Sequence, residues 1–210
     1  MLCPSCLQAF HPQPQSLQLN GGDADWHGFT ITYGNCPGCN RKWALLTTVR
    51  GANIKESMIY PKNAARRPIS ADVPVKFADD YKEACAVLAD SPKASAALSR
   101  RCLQTKLREH AKVKHQDLSR EIDEALASKQ LPSYLTGAID AVRNLGNFAA
   151  HPIKSTSTGE LVDVEPGEAE WLLDVLEGLF DFYFVGPADL QRKRDALNKK
   201  LADAGKPILK

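Results

Sequence analysis

The hydrophobic positions change period once along the chain. Up to about residue 57 the apolar residues fall in short strand-like runs, at 16–19, 28–33 and 42–49. "FTITY" and "WALLTTV" carry the aromatic and β-branched residues that suit a pleated surface. Turn signals separate them, "NGGDAD" before the second run and "CPGCN" before the third. Residues 58–74, "MIYPKNAARRPISADVP", hold three prolines and no period, which predicts a linker. From Val75 onward the period is helical. One helix ends at Ser91-Pro92, and the next starts there with proline in its first turn. A third covers "DLSREIDEALASKQ", and a fourth runs from Pro132 to about Ala150. A short ladder over 159–164 precedes a fifth helix from near Pro166, and a sixth ends on Gly205. The pattern predicts an α+β chain: a β module over 1–57, a linker over 58–74 and an all-α bundle over 75–210.

Composition keeps that picture. With 210 residues, 43% of them hydrophobic and 25% charged, the chain can build a core without disulfides. The most apolar run, 171–185, is interrupted by Asp174, Glu177 and Asp181, so it is no membrane span. With no apolar leader at the start, a cytoplasmic protein without membrane attachment is expected. Charge is uneven: residues 92–115 hold seven Lys/Arg against Glu109, and residues 159–186 hold eight Asp/Glu and no Lys or Arg. Such blocks bind nucleic acid or attract each other, within the fold or across a dimer. The fifth helix carries Trp171, Leu172, Val175, Leu176, Leu179, Phe180, Phe182, Tyr183 and Phe184, more than one face can bury alone. This also points to self-association.

Four of the six cysteines form two CxxC knuckles, Cys3-Pro-Ser-Cys6 and Cys36-Pro-Gly-Cys39. Zn²⁺ takes four soft ligands in a tetrahedron, and thiolates two residues apart turn inward from one tight turn. Strands around the knuckles would make a zinc ribbon whose binding energy folds a module too small to hold itself. A rubredoxin-like iron site uses similar knuckles, and colour in the purified protein separates the two. An all-thiolate site with no open position is structural. Cys85 and Cys102 sit in helical patterns, as small buried hydrophobes do. Residues 1–60 hold four Lys/Arg and three Asp/Glu, which predicts a protein-contacting or stabilising module rather than phosphate-driven binding. Trp26, Tyr33 and Trp43 are either base-stacking residues or the module's core.

The fourth helix contains "AVRNLGNFAAHP". With Arg143 at zero on a wheel, Asn147 falls at about 40°, Asp140 at about 60°, His151 at about 80° and Asn144 at about 100°. Solvated faces favour good helix formers, whereas asparagine is a poor one. Two asparagines beside Gly146 point to side chains that hydrogen-bond something specific. Pro152 pushes His151 toward extended angles, where it either caps the helix or acts as an acid. On the second helix, Arg100 lies beside the stripe of Leu103 and Leu107. It is either a snorkelling arginine or half of a buried pair with Gln104, one turn on.

"SPKASAALSRRCLQ", the later "VRNLGNFAAH", the CPxC knuckles and the proline-rich linker together resemble the bacterial family called domain of unknown function 4145. The resemblance implies a HEPN-like helical domain, of a superfamily common in defence systems and toxins. HEPN ribonucleases are dimers in which an arginine and a histidine cut RNA without metal. By that resemblance Arg143 would stabilise the phosphate, His151 would move protons and Asn147 would assist. Seven residues separate Arg143 from His151, one more than that superfamily's usual maximum, and Gln104 stands where the family usually has glutamate. The expectation is therefore a zinc-binding, HEPN-like module that binds RNA or a partner protein, with Arg100, Gln104 and Asn144 on its binding face. The alternative is a metal-independent endoribonuclease.

Overall fold

The computed structural model describes residues 1–19, 28–62, 66–150, 153–154, 161–162, 164 and 166–209, with the helix over 144–150 and the strand pairs at 153–154 and 161–162 described as backbone. They form two compact units. One comprises Met1–Pro68 with Cys85–Asp90, the other Ile69–Ala84 with Ser91–Lys210.

The first unit is an antiparallel sheet in the order β1-β2-β3-β4, with β1 Gln15–Leu19, β2 Gly28–Asn35, β3 Lys42–Arg50 and β4 Asn53–Tyr60. The first three match the expected runs. β4 reaches into the stretch read as linker. Its first four residues, Asn53 to Glu56, are exposed and all but Ile54 are polar, as suits an edge strand, so no apolar alternation betrays it. A bulge shifts the β3–β4 register between Ala44 and Leu45, so that Tyr60 rather than Ile59 lies opposite Ala44. Trp43 is the largest buried side chain among the unit's described residues and meets Phe10 edge-on at 6.2 Å. A Cβ at residue 34 would stand 3.2 Å from the Trp43 ring, which explains glycine at that position.

The second unit is helical: α1 Val75–Val87, α2 Pro92–Lys106, α3 Leu118–Ala127, α4 Ser133–Ala150, α5 Pro166–Phe180 and α6 Gly186–Asp203. Ser91 caps α2, accepting from the Ala94 amide at 3.2 Å with Pro92 behind it, and Asp117 caps α3 through the Arg120 amide at 3.1 Å. Ile153–Lys154 (β5) and Leu161–Val162 (β6) pair as a short ladder, of which only β6 lies within the expected 159–164. α5 is the central helix. Ala169, Leu172, Leu173, Val175, Leu176, Leu179 and Phe180 are buried on it, with α2 and α4 packed against it. The bundle itself therefore covers most of the apolar surplus that suggested self-association. A Cβ on Gly178 would stand 2.8 Å from the end of Leu135, so α4 and α5 approach closely there. Two wide π-helical turns interrupt the regular period: Leu107–Ala111 ends α2, and Asp181–Val185 joins α5 to α6.

Candidate metal centre

The two knuckles repeat one backbone design. The Leu7 amide donates to the Cys3 carbonyl at 2.9 Å, and the Asn40 amide to the Cys36 carbonyl at 2.8 Å. Each turn is closed from outside, by Cys3 N to Gln8 O at 3.0 Å and Cys36 N to Arg41 O at 2.9 Å. The residue after the second cysteine is left-handed in both, Leu7 at φ 59° and Asn40 at φ 55°. Asparagine tolerates that region, whereas leucine pays a steric cost there. A strained leucine held in the same geometry as its counterpart shows that the turn serves the cysteines.

The four sulfurs converge within 4.8 Å of one another. Those of Cys3 and Cys39 are 3.7 Å apart, and those of Cys6 and Cys36 3.8 Å. A tetrahedron with Zn–S bonds near 2.3 Å has S···S edges of about 3.8 Å. The spacing therefore fits a metal held by four thiolates, with no position left for water or substrate. Burial raises the Cys3 thiol, but the Ser5 and Cys6 amides and the adjoining thiols outweigh it and bring it down to about 7. At Cys6 the Gln8 amide works downward, while burial and the other three thiols push it up to about 12. Four clustered thiols lose their first proton easily and the next with difficulty, which a divalent cation reverses.

The arginine, asparagine and histidine face is only partly in view. His151 lies outside the described residues, as do the side chains of Asn144 and Asn147. The Arg143 guanidinium donates to Asp123 on α3 and to Asp140 one turn back on α4. On α2, Gln104 donates to the Gln116 carbonyl at 3.1 Å rather than turning to Arg100. Arg100 is half-buried with no hydrogen bond or ion pair among the described residues, and burial lowers its pKa.

Two polar clusters in the helical unit escaped the sequence reading. Glu121 is fully buried and accepts from Arg108 Nε and the Gln116 amide, both at 2.8 Å. Lys106 is also fully buried, with its ammonium 3.3 Å from the centre of the Phe184 ring and 4.2 Å from that of Tyr183. Burial lowers it to about 7, against smaller upward contributions from Cys102 and Glu109. Burial also lowers His110, raises Tyr183 and pushes the Cys102 thiol up to about 12. Both clusters join the end of α2 to residues distant in sequence, a juxtaposition no local pattern displays.

A β unit with four convergent cysteines that could hold a metal ion and a capped helical bundle with a central apolar helix define an α+β protein. The family model described as "Domain of unknown function (DUF4145)" matches residues 82–200, more than half of the chain, and the protein belongs to that family. The match lies within the helical region and leaves the knuckles outside it. No curated protein and no solved structure matches the chain. Among the described residues, no helix is long and apolar enough to cross a membrane.

Proposed function

We propose that this protein is a binding module whose β unit is organised by structural Zn²⁺ on Cys3, Cys6, Cys36 and Cys39, and that it recognises RNA or a partner protein without chemistry of its own. The observation that carries this reading is the state of Arg143. Its guanidinium is already committed to two carboxylates, Asp123 and Asp140. An arginine that stabilises a phosphate during cleavage needs donors free to face it. Bridging α3 to α4, Arg143 is a packing residue. The metal when bound supplies folding energy and no reactive ligand. Self-association belongs to the same reading: no residue of α6 is buried, and Leu190, Leu197 and Leu201 share one of its faces. The defence setting rests on the family resemblance alone.

The test is cleavage. The zinc-loaded full chain, incubated with a broad panel of RNAs in magnesium-free buffer, is expected to leave them intact, as is the His151→Ala variant. Metal-independent cleavage by the wild type that vanishes in His151→Ala would overturn the reading and install the endoribonuclease using Arg143, Asn147 and His151.

A further inference from the structure

The β unit carries a groove along its sheet, beside the buried tryptophan. Gln15, Tyr33, Ala44 and Tyr60 form one rung across all four strands, each paired with the next. Directly paired residues share a face, and strands lie about 4.8 Å apart, so the two tyrosines are rooted about 9.6 Å from each other over a single methyl floor. The bulge in β3–β4 is what seats Tyr60 on this rung. Asn35 pairs with Lys42 to make the next rung on the same face. Both tyrosines are well exposed, at 41% and 58%. Together with Gln13, Gly34 and Trp43 these residues line a groove of about 730 Å³, inside the range of roughly 300–1,000 Å³ typical of ligand sites. A smaller groove of about 390 Å³ shares Tyr60 and Lys42 and adds Arg41.

The chemistry of this face is specific. A flat ring stacked on both sides needs about 7 Å between the flanking rings, which two tyrosines leaning from alternate strands can provide. Small Ala44 leaves the slot open. Amides at Gln13, Gln15 and Asn35 can donate and accept at the edge of an inserted ring. Arg41 and Lys42 place two cations beside it. The charge balance also shifts once the unit's observed extent replaces the shorter module read from sequence. The unit, Met1–Pro68 with Cys85–Asp90, contains seven Lys/Arg and four Asp/Glu, because Lys62, Arg66 and Arg67 lie beyond the stretch that looked neutral, and Asp90 pairs with Lys62.

We infer that this groove binds single-stranded nucleic acid, with a base held between Tyr33 and Tyr60 and the adjoining phosphate at Arg41 and Lys42. This deepens the binding-module reading and rests on it. Bases of a duplex are already stacked on one another, so the slot selects unpaired strands.

The experiment measures fluorescence anisotropy of a labelled, mixed-sequence RNA strand against the zinc-loaded full chain, with the matching duplex and AMP as competitors. The strand is expected to bind, with the duplex and AMP each competing at least tenfold more weakly. Tyr33→Leu and Tyr60→Leu are each expected to weaken binding by about tenfold, the scale of one lost stacking contact. Tyr33→Phe keeps the ring and is expected to bind within about twofold of wild type. Zinc content and circular dichroism of each variant confirm that the unit is folded. RNA binding unchanged in the folded double tyrosine variant would overturn the groove and leave the binding-module reading standing on another surface. Equal competition by duplex or by AMP would overturn the single-strand assignment, as would failure of the wild type to bind any strand.

Discussion

Glu121 and Lys106, a carboxylate and an ammonium, are both wholly enclosed in the helical unit, yet they meet different fates. Glu121 is answered by Arg108 and by the Gln116 amide, so its charge fixes the turn between α2 and α3. Removing the guanidinium strands that charge, and Arg108→Ala is expected to destabilise the protein by on the order of 3 kcal/mol in urea denaturation. A loss within the few tenths typical of a surface change would show that the pair is not needed. Among the described residues Lys106 has no carboxylate partner, only the faces of Phe77, Tyr183 and Phe184, and burial brings its pKa from 10.5 to about 7. Between those two values the unfolded chain holds a proton that the folded chain does not, so stability from this group rises with pH across the window. Lys106→Met removes the titrating group and keeps its bulk. The difference in Tm between variant and wild type is expected to favour the variant at pH 7 and to shrink by pH 9. A difference independent of pH would contradict the depressed pKa.

At the scale of elements, much was legible because periodicity and caps report local energetics. Ser91-Pro92 and Asp117 mark helix starts by chemistry confined to one turn, and both helices begin there. β4 was missed because its outer residues are polar, and polar edge strands carry no alternation to read. The π-helical turns were also invisible, since the extra residue in each is placed by contacts such as His110 against Tyr183 and Phe184 rather than by local preference. No residue of α6 is buried. Leu190 is 69% exposed and Leu197 45%. Light scattering on the full chain is expected to give the mass of a dimer, and Leu190→Asp with Leu197→Asp is expected to give the mass of a monomer. A wild-type monomer at micromolar concentration would contradict self-association through this face.

Across the whole molecule, the two candidate sites were legible to very different degrees. The convergence of the four cysteines was legible, because a CxxC pair encodes its own turn. Arg143 could be placed on a polar face but not given its partners, since Asp123 comes from another helix and only packing brings it there. Tyr33 looked like core or stacking residue, and which of these holds depends on the register that pairs it with Ala44 and, through Ala44, with Tyr60. Long-range register and interhelical pairing are thus where sequence reasoning ran out. The central claim, a closed thiolate centre organising a recognition unit, is tested most directly by X-ray absorption at the zinc edge on the purified full chain. The expected result is a single shell of four sulfurs at about 2.3 Å. A mixed shell containing nitrogen or oxygen, the mark of an open and reactive site, would contradict it.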